Sequence, residues 1–379
     1  MTASWSFRNP VDVRFGAGRR GDTAALIAGK TVLAVGTKRG RAQCEADALL
    51  APALAGAASV TWVDSVTPNP GLAEVQADVD RLAGQSFDLV LAFGGGSAMD
   101  AAKALAACLA PDIKTRDLAA LIANPGSLVG PSALPIVALA TTSGTGSEVT
   151  PFATIWDHAN AKKLSLASPH LFSRVAIVDP ELTHGIPMAA TLSTGLDAMN
   201  QAFESAWNRN RSPVTMAMAA RAIALAFEAL PVLAKGEDAA ARSRIAEASL
   251  LAGLCISQTR TAICHATSYP LTAHFDLAHG YACAFSMRAV ARLVDTHAPE
   301  IFDDLVALGA ATSRDDLLAK LDAVLAASGL AEAVNAHLPD AAALQALAGE
   351  MHTPGRADNF PISMEGGRLE TLLADSRAV

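Results

Sequence analysis

Charge, aromatic residues and sulfur are all scarce in this 379-residue chain. Asp, Glu, Lys and Arg make up 17% of it and aromatic residues only 5%, with two tyrosines. Lys plus Arg number 29 against 37 Asp plus Glu, so the formal charge is −8 and no basic excess exists to neutralise phosphates. Nucleic acid is therefore not expected as a partner. The five cysteines, Cys44, Cys108, Cys255, Cys264 and Cys283, are odd in number, scattered and without a C-x-x-C pair. A disulfide framework is not expected, and a reduced, cytoplasmic compartment is. Apolar runs are interrupted by Gly, Pro or charge, as Ile223–Leu233 is by Glu228 and Pro231. No segment of about 20 residues is therefore expected to span a bilayer, and no membrane partner is expected. Met1–Pro10 lacks a basic stretch leading into an apolar core, so no secretion signal is expected there.

What the chain has in quantity is apolar surface. Hydrophobic residues are 51% of it, enough to offset the entropy of ordering, and the length fits two domains better than one. In the first half, β-branched runs alternate with helical periodicity. Thr31–Val35, Ser59–Val63, Asp88–Phe93, Pro135–Ala140 and Val175–Val178 read as buried strands, with Thr154–Trp156 and Leu164–Ala167 as an added hairpin. Arg41–Leu54, Gly71–Gly84 and Ala98–Leu109 read as helices between them. Such alternation predicts a parallel sheet covered on both faces. After Asp179-Pro180 the strand-like runs nearly vanish. Thr215–Leu233, Ala239–Ser257, Tyr281–Val294 and Ser313–Ala327 read as helices, and Thr353–Val379 as a loop followed by a short helix. The fold class expected is α/β plus all-α, with a domain of residues 1–183 and a helical domain of residues 184–379.

Three glycine-rich stretches compete as ligand loops. Gly16-Ala17-Gly18-Arg19-Arg20-Gly21 matches the G-x-G-x-x-G pattern formally. The run before it, Val11–Phe15, is short and half polar, and Gly36-Thr37-Lys38 stands where the ribose-binding acid belongs, so we read the match as a decoy. Gly94-Gly95-Gly96-Ser97 is stronger: it follows an apolar strand and opens a helix, with Ser97 as expected N-cap, and lets backbone N–H groups approach a pyrophosphate. Thr141-Thr142-Ser143-Gly144-Thr145-Gly146-Ser147-Glu148 follows another strand and offers a second polar wall to the same crevice. In the helical half, Asp197 and Gln201 stand four apart and share a helix face, and His265 and His279 lie further on. An aspartate and two histidines can hold a divalent ion, although a buried histidine is more often a hydrogen-bonded core residue.

Taken together, these motifs resemble the iron-containing (group III) alcohol dehydrogenases. The likeness runs through Phe15–Gly18, Pro68-Asn69-Pro70, Gly94 to Lys103, Thr141 to Glu148, Val178–Leu182, Asp197-Ala198-Met199 and His265 to Gly280. It implies a dehydroquinate-synthase-like architecture: an N-terminal dinucleotide-binding parallel-sheet domain and a helical domain that binds a catalytic divalent metal, Fe2+ or Zn2+. By that resemblance Gly95, Gly96, Ser97, Asp100, Thr141, Thr142 and Lys163 bind cofactor, with Pro68, Asn69, Ser143, Thr145 and Leu182 completing the set. Asp197, Gln201, His265 and His279 bind metal. Two residues depart from the family pattern: Gln201 and Tyr269 stand where histidine is usual. A glutamine carbonyl is a weaker donor than imidazole, so a loosely held ion is expected. With Thr259-Arg260-Thr261 and Ser268-Tyr269-Pro270, these departures resemble the phosphonoacetaldehyde reductase branch.

The implied reaction is hydride transfer between a nicotinamide and a small aldehyde or alcohol, in that branch reduction of phosphonoacetaldehyde to 2-hydroxyethylphosphonate. Tyr269 and His274 are the candidate proton donors. Thr37, Lys38 and Arg39, with no acid among them, favour NADP over NAD. Arg260 and Arg356 are candidates for gripping a substrate anion, Arg260 being expected on one helix with His265. A homodimer is the expected assembly. Two other readings stay open on the residues alone: a metal-free lyase or synthase on the same scaffold, and a nucleotide-sensing module.

Overall fold

The computed structural model describes residues 4–128, 133–160, 162–351 and 355–377. These residues divide into two units. One, Asn9–Thr142 with Ser147–Thr183, is α/β; the other is helical and takes the described residues from His184 on, Ser143–Gly146, and the described residues up to Arg8. Two short pieces of the expected 1–183 domain thus belong to the helical unit. Gly144 lies against Thr194 and Gly146 against Gly253, both on helices of that unit.

In the α/β unit, β1 (Asp12–Phe15), β2 (Thr31–Val35), β3 (Ser59–Val63), β4 (Leu89–Gly94) and β5 (Ile136–Ala140) precede a hairpin of β6 (Phe152–Asp157) and β7 (Lys162–Ala167), and β8 (Val175–Val178) follows it. Six of these strands pair in parallel in the order β1-β8-β5-β4-β2-β3, while β6 and β7 form a separate antiparallel pair. Side chains alternate across the sheet. Leu33, Val35, Val90 and Ala138 pack on one face with helices Leu72–Leu82 and Gly96–Cys108; Val32, Ala34, Leu91, Val137 and Leu139 pack on the other with Ile27, Cys44 and Leu50. From β2 the chain goes to β3 on one side, then crosses back to β4 on the other. That reversal makes the carboxyl ends of β2 and β4 the switch point at which open α/β sheets take their ligands.

The structure corrects several expectations here. Val11–Phe15, read as half polar, supplies β1 at the sheet edge, paired with β8. The single helix expected over Arg41–Leu54 is two, Lys38–Ala46 and Leu50–Ala55. Asp47 separates them, its Oδ1 accepting the N–H groups of Leu49 and Leu50 at 2.9 and 3.1 Å.

In the helical unit, Met188–Ala206, Pro213–Leu233 and Ala239–Thr259 share a core that includes Leu196, Phe203, Trp207, Ile223, Leu230, Ile245 and Cys255. Contrary to the sequence reading, Pro213–Leu233 is long and apolar enough to cross a membrane; it is the one such helix among the described residues, and most of it is buried in this core. Expected as one helix, Tyr281–Val294 is broken at Ser286 into His279–Phe285 and Met287–His297. Of the C-terminal stretch, Thr353 lies outside the described residues, and Arg368–Arg377 is helical.

Candidate metal centre and cofactor loops

One face of the Met188–Ala206 helix carries Asp197, Gln201 and Glu204, spaced four and three apart, and all three are buried. Glu204 organises what lies opposite. Its carboxylate accepts the backbone N–H groups of Ala262 (2.8 Å), Cys264 (2.5 Å) and His265 (3.2 Å), and lies 2.7 Å from His265 Nδ1. A carboxylate on Nδ1 fixes the ring and turns Nε2 towards a ligand, the arrangement that orients metal-binding histidines. His265 Nε2 lies 3.3 Å from Asp197 Oδ1.

His279 and Cys283, four apart on the His279–Phe285 helix, reach the same place. That helix approaches Met188–Ala206 closely because Gly280 has no side chain: a β-carbon there would fall 1.7 Å from the Ser193 carbonyl oxygen. The ligand atoms of Asp197, His265, His279 and Cys283 all lie within 4.8 Å of one another. Cys283 Sγ is 3.6 Å from His279 Nε2. Burial pushes the Cys283 thiol up, but His265 and His279 outweigh it and bring the value down to about 7. Burial likewise opposes ionisation of Asp197, yet His265 and His279 hold its carboxyl below the usual range. Two buried oxygens, Asp197 Oδ1 and Gln201 Oε1, accept no well-formed hydrogen bond, His265 Nε2 standing 3.3 Å from the first. Buried acceptors without a partner cost stability and call for a ligand.

Around this cluster the other candidates sort themselves. Tyr269 lies with its ring parallel to His279, centroids 6.3 Å apart, and the Arg356 guanidinium sits 4.9 Å above the Tyr269 ring. The structure does not bring His274 to the cluster; it is exposed and paired with Glu350 at 2.9 Å. Arg260 is not on one helix with His265. It terminates Ala239–Thr259, and the next helix begins at Ile263. Its backbone, φ 61° and ψ −177°, lies in a region that is essentially reserved for glycine. Thr259 Oγ1 and Asn208 Nδ2 hold it there by donating to its carbonyl at 2.9 and 3.3 Å. Desolvation, and after it the like charge of Arg356, lowers the Arg260 guanidinium from its ordinary value, so the two arginines are within electrostatic reach of each other.

In the α/β unit, three expected loops follow neighbouring strands. After β2, Thr37 caps helix Lys38–Ala46, its Oγ1 accepting the Gly40 N–H at 2.9 Å, and Lys38 and Arg39 are exposed. After β4, Gly95 rather than Ser97 is the N-cap, and no side chain caps this helix. Its first N–H groups thus receive no side-chain acceptor, while Ser97 Oγ accepts the Asn69 N–H at 3.3 Å. Asn69 itself is left-handed, φ 57°, beside exposed Pro68. After β5, the Thr141 N–H donates to the Gly94 carbonyl, and Thr142 lies against Gly95; Gly96 is half-buried next to them. Ser143 and Thr145 belong to the helical unit.

Three further cofactor candidates have partners within the protein. Asp100 accepts from Ser147 Oγ at 2.9 Å and from the Thr154 N–H at 3.0 Å, Leu182 is a core residue, and Lys163 reaches over the Trp156 ring. The G-x-G-x-x-G match follows edge strand β1 and enters a four-residue turn, with Arg20 engaged by Asp47 and Asp179. Sequence reasoning missed Cys283 and Glu204. Both carried a signal, Cys283 four residues after His279 and Glu204 seven after Asp197.

Two family descriptions match: iron-containing alcohol dehydrogenase over residues 10–180, and the C-terminal domain of the Fe-containing alcohol dehydrogenase family over residues 191–343. A sulfoacetaldehyde reductase from Bifidobacterium kashiwanohense, solved in complex with NAD+, is similar over the whole of both chains, with 30% identity and a TM-score of 0.87. The chain belongs to the iron-containing alcohol dehydrogenase family. Another member, an iron-containing alcohol dehydrogenase from Thermotoga maritima, is 30% identical with a TM-score of 0.85, covering 99% of this chain and 100% of its own. Phosphonoacetaldehyde reductase from Streptomyces viridochromogenes is 40% identical over 208 residues, 54% of this chain and 53% of that one. The chain thus spans about half the length of the curated relatives it matches. The divalent ion implied by this family fits the residues present: a carboxylate, two imidazoles and a thiol converge, a carboxylate orients one imidazole, and two buried oxygens await a partner.

Proposed function

We propose that this chain is an NAD(P)H-dependent reductase of small aldehydes that carry an anionic head group, phosphonoacetaldehyde first among them. The observation that carries the reading is the Arg260–Arg356 pair. Desolvation and then the charge of Arg356 disfavour the Arg260 guanidinium, which stands on glycine-like backbone, and Arg356 lies on a tyrosine that stacks on His279. Like charges so placed favour a bound anion, and forked guanidiniums suit a phosphonate or sulfonate. Similarity to a phosphonoacetaldehyde reductase and to a sulfoacetaldehyde reductase supports the same head-group class.

A reduced nicotinamide, when bound, would supply the hydride for the aldehyde carbon, and the oxygen would gain a proton to give a primary alcohol. A divalent ion bound by Asp197, His265, His279 and their neighbours would supply polarisation of the carbonyl oxygen. The chain's own groups do the rest. Glu204 holds His265 in orientation, Arg260 and Arg356 anchor the anion, and Tyr269, which rests on His279, is the candidate proton donor left after His274 is assigned to its surface pair. The uncapped helix start after Gly95 receives pyrophosphate. Thr37, Lys38 and Arg39 favour the 2′-phosphate of NADPH, there being no acid to repel it. A Thr37→Asp enzyme is expected to shift the NADPH/NADH preference towards NADH by about tenfold, like charge opposing the 2′-phosphate.

Kinetics of Arg260→Ala test the head-group assignment. For phosphonoacetaldehyde kcat/KM falls by about 2–4 kcal/mol, roughly thirty- to several-hundred-fold, while propanal is spared. Equal losses on both aldehydes would make Arg260 a structural residue and remove the anionic substrate.

A further inference from the structure

The sulfur in the cluster changes what the site should hold. Cys283 is fully buried, and its Sγ faces two imidazoles rather than apolar packing. A tetrahedral ion with bonds of about 2.05 Å to nitrogen or oxygen and about 2.3 Å to sulfur needs donor separations of about 3.3 Å for nitrogen–oxygen and about 3.6 Å for sulfur–nitrogen. His265 Nε2 and Asp197 Oδ1 are 3.3 Å apart, and Cys283 Sγ and His279 Nε2 are 3.6 Å apart. The first edge fits one ion as it stands. Cys283 Sγ lies 3.9 Å from His279 Nδ1 as well, so the His279 ring has to turn for its Nε2 and the sulfur to face one ion. All four ligand atoms already lie within 4.8 Å of one another. Gln201, whose buried Oε1 accepts no hydrogen bond, adds a neutral oxygen and so is the weakest donor of the group.

We propose that Cys283 ligates the ion of this chain through its sulfur, so that the site is one of aspartate, two histidines and a thiolate, with Gln201 in a subordinate place. Soft thiolate donors favour zinc and cobalt over harder ions such as manganese or magnesium, which keep to oxygen. The metal preference of this chain is therefore set by Cys283 as much as by its histidines. This rests on the dehydrogenase reading only for the presence of a divalent ion, and its test reads donors rather than turnover.

The full-length protein, stripped and reloaded with Co2+, is expected to show a thiolate-to-cobalt charge-transfer band in the near ultraviolet. That band is lost in Cys283→Ser and kept in Cys264→Ala, the other cysteine nearby. Zinc affinity is expected to fall at least about tenfold in Cys283→Ser, the lower end of what even an outer partner of a metal ligand costs. In case the variants fold poorly, zinc-edge X-ray absorption on the unaltered protein must find one sulfur at about 2.3 Å. Cobalt bound without the band, a band that survives Cys283→Ser, or a zinc shell of nitrogen and oxygen alone overturns the thiolate while leaving the reductase intact. Failure to retain any divalent ion overturns both.

Discussion

Lys103 in the α/β unit and Asp197 in the helical unit are both charged side chains with almost no exposure, 1% and 3%. Their surroundings differ in one respect. Lys103 Nζ donates to the carbonyls of Ser147 (2.6 Å) and Phe152 (2.9 Å), to Ser147 Oγ (2.9 Å) and to Thr150 Oγ1 (3.3 Å). Ser147 Oγ passes the network on to Asp100, so the cluster is closed. Burial lowers Lys103 to about 8 and raises Glu148 to about 7, each resisted by the other's charge. Around Asp197 the network is left open: neither Asp197 Oδ1 nor Gln201 Oε1 accepts a well-formed hydrogen bond, and His265 Nε2 stands 3.3 Å from the first. A closed buried network ties helix Gly96–Cys108 to the segment leading into β6. An open one with converging ligand atoms has room for a further partner.

The largest expected effect lies on the open side. Asp197→Asn should cost several kcal/mol of transition-state stabilisation, about a thousandfold or more in kcat/KM, without lowering the melting temperature of the metal-free protein. Activity within tenfold of the parent would put Asp197 among the structural groups. On the closed side the balance reverses: Lys103→Met should destabilise the fold by about 3–5 kcal/mol in denaturant titration, since buried acceptors and a carboxylate lose their partner. A chelator should not reproduce that loss. Glu204→Gln sharpens the comparison, because Glu204 is itself fully bonded yet serves the open cluster. Metal affinity is expected to fall about 10–100-fold, measured by competition with a chromophoric chelator. A change in stability with unaltered affinity would move Glu204 to the closed class.

How much of this was legible beforehand depended on how local the determining contacts are. The buried strands were readable because β2, β4 and β5 are continuous apolar runs, and the glycine loop because it follows one of them. Asp197, His265 and His279 were readable through family resemblance, with spacing alone ambiguous. The break at Arg260 was not readable: it depends on Glu204, some sixty residues away, drawing in the N–H groups of Ala262, Cys264 and His265. Nor was His274, whose partner Glu350 is distant in the chain. Cys283 is not legible as an isolated cysteine, since its meaning lies in its helical offset from His279.

Reconstitution of the metal-free protein tests most directly whether the open cluster is the catalytic metal centre. Titration with Zn2+ or Fe2+ should saturate at one ion per chain, raise unfolding stability by about 2.7 kcal/mol at a hundredfold excess over Kd, and restore aldehyde-dependent NADPH oxidation in the same proportion. Full activity in protein stripped of every divalent ion, with no stabilisation on adding one, would contradict the account.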